Sequence, residues 1–226
     1  MKINKVTKQH KQYPAYLLEI SSVPKELFYL GEPPEAYLPA VTIVGSRKLS
    51  PYGREVTYQL AYDLAKQGIT IVSGLALGAD GVAHQAAIDA GGRTTAVLAN
   101  GLDEIYPASH RNLAIEILKK GGTIMSEYPT GTPSLKQHFI ARNRIVSGLS
   151  DMVIITEAAE ASGSLVTANF ALEQNKLVGA VPGNITNPLS IGTNNLIKSG
   201  AQLITSAQDV LNTLGIQSTE KVKEEV

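Results

Sequence analysis

Short apolar runs alternate with segments of helical periodicity along most of this chain. The runs are apolar throughout rather than on one side only, which is typical of strands that are buried on both faces of a parallel sheet. The pattern predicts strands that begin at Val41 and span 69–73, 94–99, 123–126, 152–156 and 177–181. It predicts helices over 51–68, 80–91, 113–120, 138–149, 164–175, 193–199 and 206–214. Together these elements predict an α/β fold, with a doubly wound, mostly parallel sheet and helices on both faces.

The first 40 residues differ from the rest of the chain. They contain short apolar patches broken by prolines, such as Tyr13-Pro14 and Gly31-Glu32-Pro33-Pro34. This composition predicts that residues 1–40 form an arm or lead-in strand packed on the main domain. The regular alternation predicts one large domain over 41–215, and the charged residues of 216–226 predict a flexible tail.

Three of the predicted strands end abruptly in glycine and serine before a helix follows. Glycine allows a sharp turn and a close approach of ligand to main chain, while the helix directs free N–H groups to the same place. Parallel strands bring such turns together at one edge of the sheet, so the sequence predicts a site there for phosphate groups. The first turn holds Gly45, Ser46 and Arg47; the second holds Ser73, Gly74 and Gly78; the third holds Ser162, Gly163 and Ser164, with Thr167 one helical turn further on.

Each turn also has a simpler interpretation, in which its glycines only let the chain turn and pack. The first turn lacks the spacing of a dinucleotide-binding G-x-G-x-x-G, and no G-x-x-x-x-G-K-[ST] occurs in the chain. An NAD dehydrogenase and a P-loop NTPase are therefore poorly supported.

Composition limits the classes of function. The chain has 226 residues, with 20 Lys and Arg against 20 Asp and Glu. Any site for a polyanion must therefore be a local concentration of positive charge. The absence of cysteine excludes thiol catalysis and disulfides. The sequence shows neither the apolar core of a signal peptide nor a stretch that could span a membrane, so a cytoplasmic location without membrane contact is expected.

The segment that precedes the strand at 152–156 carries the strongest chemical signal. It combines three cations with one aromatic ring, where guanidinium groups can bind phosphates and the ring can stack on a base. The candidate residues are Lys136, Phe139, Arg142, Asn143 and Arg144. The alternative is a solvated helix N-terminus whose phenylalanine is buried in the core.

The remaining titratable residues favour structural roles. His84, His110 and His138 are too scattered to predict a metal site. Glu127 and Glu157 follow strands, where each could act as a general base or hold backbone N–H groups by hydrogen bonds. Because no partner nucleophile is present, we favour the second role. The sequence predicts no cofactor, no metal and no catalytic residue.

Taken in order, these motifs resemble the central domain of the DNA-processing protein A (DprA/Smf) family over about residues 13–210. The matching motifs are Val44-Gly45-Ser46-Arg47 with Tyr52-Gly53, Ser73-Gly74-Leu75-Ala76-Leu77-Gly78-Ala79-Asp80 with Ala83-His84, Gly101-Leu102-Asp103 with Tyr106-Pro107, Ser126-Glu127-Tyr128, Phe139 with Arg142-Asn143-Arg144, Ser162-Gly163-Ser164 with Thr167-Ala168, and Gly192-Thr193-Asn194-Asn195. Ile140 departs from the family pattern, which usually has proline there.

The resemblance implies a Rossmann-like domain that binds single-stranded DNA in a basic pocket at the strand ends. It also implies a homodimer that helps to load the recombinase RecA and protects incoming single strands in natural transformation. Carried over by position, the DNA-contacting arginine falls on Arg47, and the lysine and phenylalanine that hold a nucleotide fall on Lys136 and Phe139. The region after Gly192 is our prediction for the dimer face.

Two other functions remain open from the sequence. A related Rossmann-like fold serves nucleotide-cleaving phosphoribohydrolases, but their P-G-G-x-G-T-x-x-E motif is missing from 157–167. A sensor that binds a free nucleotide at the same turns without reacting is the other alternative.

Overall fold

A computed structural model describes residues 2–33 and 39–217. Nine strands of this part of the chain form one sheet. In chain order they are β1 (Asn4–Thr7), β2 (Glu26–Gly31), β3 (Ala40–Val44), β4 (Thr70–Ser73), β5 (Thr94–Leu98), β6 (Thr123–Ser126), β7 (Met152–Ile155), β8 (Leu177–Ala180) and β9 (Gln202–Leu203).

Seven α-helices among the described residues connect or follow these strands. They are α1 (Pro51–Lys66), α2 (Ala79–Asp89), α3 (Arg111–Lys119), α4 (Lys136–Gly148), α5 (Gly163–Glu173), α6 (Ile191–Lys198) and α7 (Ala207–Leu214). Every helix and strand predicted from Val41 onward is present, with its ends shifted by two residues at most. None of the helices in the described ranges is long and apolar enough to cross a membrane.

The strand order across the sheet is β1-β2-β6-β5-β4-β3-β7-β8-β9. Strands β3 to β9 run parallel to one another, whereas β2 pairs antiparallel with both β1 and β6. The chain builds outward from β3 through β4, β5 and β6, and then returns to the other side of β3 with β7. The sheet therefore reverses its order between β3 and β7, where doubly wound folds bind their ligands. The predicted fold class is confirmed.

Alternate residues of each central strand pack on opposite faces of the sheet. In β3, Val41 and Ile43 join an apolar cluster with α1, α2 and α7, while Ala40 and Val44 join a second cluster with α4 and α5. All four side chains are buried, because helices cover both faces. This accounts for strands that read as continuous apolar runs.

The segment predicted as a lead-in contributes β1 and β2 to the same sheet. Leu27 of β2 is fully buried, and Tyr13 donates a hydrogen bond from its hydroxyl to the carbonyl oxygen of Pro24 at 2.8 Å. The tail predicted over 216–226 lies outside the described residues from 218 onward.

Candidate functional site

The first and second turns interlock at the carboxyl edge of the sheet. The backbone N–H of Ala79, the first residue of α2, donates to the carbonyl oxygen of Ser46 at 3.1 Å. Gly78 has a φ of +77°, and a Cβ atom there would collide with that same carbonyl oxygen. Gly45 is also confined, since a Cβ atom would lie 2.9 Å from Thr156 Oγ1. Both glycines are required for this close packing of turn against turn.

Glu157 ties the first turn to β7. Its backbone oxygen accepts the N–H of Ser46 at 2.7 Å, and its carboxylate accepts the N–H and the hydroxyl of Ser50 at 2.8 and 2.5 Å. Ser50 is the N-cap of α1, and Glu157 is 1% exposed. The glutamate therefore holds the start of α1 in place, in agreement with the role that we favoured from the sequence.

Two buried groups of opposite charge, Asp80 and Arg142, support the second turn by bonding its backbone. Asp80 Oδ2 accepts the backbone N–H groups of Gly74 and Ala76 at 3.1 and 3.2 Å. Arg142 donates from Nη1 to the carbonyl oxygens of Gly74 (2.6 Å) and Val97. Burial raises the pKa of the Asp80 carboxyl, against the effect of Arg142, and burial lowers the pKa of Arg142 to about 10. The arginine thus stays charged near neutral pH while only 4% exposed.

These contacts give several predicted ligand groups partners inside the protein. The N–H groups of Ser46 and Gly74 are engaged as described, and the Ser73 hydroxyl donates to the carbonyl oxygen of Ile43 at 2.7 Å. The guanidinium of Arg142 lies below the surface rather than on it. This placement differs from the prediction that these groups face a ligand, because the polar atoms of a buried turn must find internal partners.

Arg47, Tyr106 and Phe139 form an exposed group above this buried layer, which we call the Phe139 corner. The Arg47 guanidinium carbon lies 5.3 Å from the centroid of the Phe139 ring, and that of Arg142 lies 5.9 Å from it. The Tyr106 ring meets Phe139 edge to face, with centroids 5.5 Å apart. Phe139 is partly exposed, and Arg47 is exposed. The corner therefore combines a cation with two aromatic rings that solvent reaches.

Lys136 is the first residue of α4 and is exposed. The helix has no side-chain cap and no acidic residue in its first turn. A lysine at this end adds its charge to the positive end of the helix dipole, an arrangement that a bound anion would stabilise. His138 Nδ1 lies 3.1 Å from the carbonyl oxygen of Pro133, and its ring stacks on Tyr128 with centroids 4.2 Å apart, which fixes the entry into α4.

The other two predicted residues of α4 are less available. Arg144 forms an ion pair with Glu127, with Nη2 2.6 Å from Oε1, and its Nη1 donates to the carbonyl oxygen of Ala141. Asn143 is partly buried, and its backbone oxygen accepts from the Ser147 hydroxyl at 3.1 Å. One helix thus presents Lys136 and Phe139 outward, while Arg142 points inward and Arg144 is paired.

The third turn follows β7, beside the first turn. Ser162 is the N-cap of α5, and its hydroxyl accepts the N–H of Ser164 at 3.4 Å and lies 2.8 Å from the Ser164 hydroxyl. Gly163 is exposed, and a Cβ atom there would have no neighbour within 4 Å. Ser164 and Thr167 are buried. Of this turn, only Ser162 and Gly163 reach the surface of the edge.

Two residues of the site were not predicted from the chemistry of the sequence. Both belong to motifs of the family resemblance, and Asp80 is also the first residue of a predicted helix, but neither is a predicted site residue. Tyr106 has no local signal, since it meets a ring 33 positions away in the chain (139 − 106). In the described ranges, no group of three or more His, Asp or Glu side chains could hold a metal ion.

A doubly wound sheet with a basic and aromatic corner at its carboxyl edge defines a Rossmann-like protein with a candidate site at that edge. Comparison with known proteins identifies the family. The family model of DNA recombination-mediator protein A matches residues 4–215, and the chain belongs to this family. The resemblance that the motifs indicated is confirmed.

Relatives agree with this assignment. Protein Smf of Escherichia coli is 47% identical over 202 residues, which are 89% of this chain and 54% of that protein. The chain thus spans about half the length of this relative. The crystal structure of DNA processing protein A from Streptococcus pneumoniae is 42% identical and superposes with a TM-score of 0.88, covering 94% of this chain and 74% of the other.

The solved structure of a second relative also indicates the class of ligand that this relative binds. DNA processing protein A from Helicobacter pylori, whose structure concerns its single-stranded DNA binding mode, is 35% identical with a TM-score of 0.85. The match covers 95% of this chain and 96% of the H. pylori chain.

Proposed function

We propose that this chain binds single-stranded DNA at the carboxyl edge of its sheet and acts in DNA recombination without catalysing a reaction. The observation that carries the proposal is the Phe139 corner, in which a partly exposed ring lies beneath the guanidinium of Arg47. A base of the DNA stacks on the ring, and the guanidinium binds the adjoining phosphate. The single-stranded DNA binding of the H. pylori relative supports this choice of ligand.

The charges around the ring favour an anionic ligand. Arg47 forms no ion pair with any of the described residues, and its charge lies close enough to Arg142 to lower the pKa of that side chain. Two guanidinium groups near one ring repel each other, and Lys136 adds a third cation at the start of α4. A phosphate backbone relieves this repulsion. The chain as a whole is neutral, so the attraction is confined to this edge.

Membership of the family supports a wider role, which is part of the same proposal. The protein acts in the cytoplasm, protects incoming single strands during natural transformation and helps to load RecA. It works as a homodimer, with the region after Gly192 as the dimer face. Because base stacking on a phenylalanine ring and a phosphate contact from a guanidinium group do not distinguish bases, binding tolerates any sequence.

The structure disfavours a phosphoribohydrolase, because the Glu157 carboxylate is buried and already accepts two hydrogen bonds from Ser50. A glutamate that is 1% exposed does not reach a substrate at the surface of the carboxyl edge. Asp80, the other acid beneath the turns, is likewise buried and engaged with Gly74 and Ala76.

Titration of the protein against labelled oligothymidine tests the proposal. We expect saturable binding that weakens with salt, and that thymidine monophosphate displaces only at far higher concentration, because a strand makes several phosphate contacts. Chromatography after incubation with nucleoside monophosphates should show no free base. Tight binding of the monophosphate alone would indicate a sensor, and release of base would indicate an enzyme; either result contradicts the proposal.

A further inference from the structure

Tyr106 lies on the connection between β5 and α3, and the residue is 44% exposed. Its plane is inclined by 61° to the Phe139 ring, with centroids 5.5 Å apart. The two rings therefore form two walls of a corner rather than one continuous surface. The inferred DNA site described above uses only Phe139 and leaves the second wall without a role.

Other exposed tyrosines of this protein are held by their hydroxyl groups. Tyr52, also 44% exposed, donates to the carbonyl oxygen of Pro182 at 2.7 Å. Tyr58, 37% exposed, donates to Asp89 Oδ2 at 2.9 Å. Within 2–33 and 39–217, the Tyr106 hydroxyl has no hydrogen-bond partner. Tyr106 is positioned instead by its edge-to-face contact with Phe139. Hydrogen bonding of its hydroxyl thus explains neither its position nor its exposure.

We infer that Tyr106 is a second stacking surface, which holds the base next to the one on Phe139. The inference rests on the proposed function, since it concerns the same bound single-stranded DNA. Aromatic rings accept any base, and stacking at exposed rings is a main source of affinity for single strands. Tyr106 is thereby a binding residue for a dinucleotide step rather than a support for Phe139.

The angle between the rings determines the shape of the bound strand. Two bases that stack on planes 61° apart cannot stack on each other. The bound DNA therefore bends between these two bases. A flexible single strand bends in this way readily, whereas a base-paired duplex does not. The corner selects single strands by shape, in addition to the electrostatic attraction of Arg47.

A double-mutant cycle separates stacking from support. Oligothymidine affinity is measured at low salt, where phosphate contacts keep weak variants measurable. The variants are Tyr106→Ala, Phe139→Ala and the double variant, with Tyr106→Phe and Tyr58→Ala as controls. Tyr58 is a similarly exposed tyrosine on α1 whose hydroxyl contacts the end of α2, at the opposite edge of the sheet.

We expect Tyr106→Ala to weaken binding by roughly five- to 150-fold, the range for loss of one stacked base, and to do so in the Phe139→Ala background as well. Tyr106→Phe should bind like the wild type, because the hydroxyl has no partner within the described ranges, and Tyr58→Ala should also bind normally. Photocrosslinking of an iodouracil-substituted strand should label Tyr106.

An effect of Tyr106→Ala that disappears when Phe139 is already alanine would overturn the inference and make the tyrosine a support. Unchanged affinity of Tyr106→Ala, while Phe139→Ala and Arg47→Ala still weaken binding, would overturn this inference alone. A wild-type protein that binds no oligothymidine would overturn it together with the proposed function.

Discussion

Arg142 carries its charge beneath the surface, where it joins three parts of the chain that are distant in sequence. It lies in α4, bonds the carbonyl oxygens of Gly74 and Val97 and compensates the charge of Asp80. Replacing it with alanine leaves the carboxylate buried without its counter-ion. We expect Arg142→Ala to lower the free energy of unfolding by about 3–5 kcal/mol.

Chemical denaturation of Arg142→Ala beside Arg47→Ala checks this prediction. Arg47 is exposed, so its replacement should change stability by no more than about 0.5 kcal/mol. Equal stability of the two variants would show that Arg142 does not serve as a buried structural cation.

Residue types alone could not separate the cations of α4. Lys136 and Phe139 were predicted as ligand contacts, and the structure leaves both at the surface. Arg142 and Arg144 were also predicted as ligand contacts. Arg142 is instead buried, and Arg144 is paired with Glu127. The difference depends on partners 45 and 68 residues away for Arg142, which local spacing does not reveal.

At the scale of elements, the fit between the first and second turns depends on Gly78. Its φ of +77° and ψ of −125° suit glycine, and an added Cβ atom would also lie 2.7 Å from the backbone of Arg47. Gly91 has a similar φ of +73° but open space around it. We expect Gly91→Ala to cost about 1–2 kcal/mol of stability and Gly78→Ala about 1–3 kcal/mol more, because its clash adds to the backbone strain.

Thermal and chemical unfolding of both variants measures the difference, and oligothymidine affinity gives a second readout. Gly78→Ala should weaken binding because it displaces Arg47, whereas Gly91→Ala should not. Equal losses of stability in the two variants would mean that the turns do not pack as closely as described.

Elements with local signals were predictable, and elements that depend on distant pairing were not. Ser50 followed by Pro51 marks the start of α1, and the structure has Ser50 as the N-cap with its hydroxyl accepting the N–H of Gly53. In contrast, β2 pairs with β6, almost a hundred residues later, so the early segment could be predicted only as a lead-in. The helices and most strands follow from local pattern, whereas the edge of the sheet does not.

For the whole molecule, a net charge of zero means that the proposed attraction to DNA comes from a few side chains at one edge. Each phosphate contact with a single strand contributes about 0.7 to the slope of log affinity against log salt concentration. Arg47→Ala should therefore reduce this slope by about 0.7 and weaken binding.

Lys119→Ala is the matched control for this prediction. Lys119 is an exposed cation at the end of α3, which precedes β6 and so lies at the opposite edge of the sheet. Its loss changes the net charge by the same amount. Equal effects of the two substitutions on the slope would indicate general electrostatic attraction rather than a site at the carboxyl edge.

The most direct measurement of the proposed site is oligothymidine affinity and melting temperature together for Phe139→Ala. Phe28→Ala is the control, because Phe28 lies in β2 and packs against a buried apolar cluster. We expect Phe139→Ala to lose about 1–3 kcal/mol of binding free energy with a melting temperature near that of the wild type. Phe28→Ala should lose stability and keep its affinity. Unchanged affinity of Phe139→Ala would contradict the account. A loss of about 3–5 kcal/mol in its free energy of unfolding would also contradict it, because Phe139 would then be a core residue.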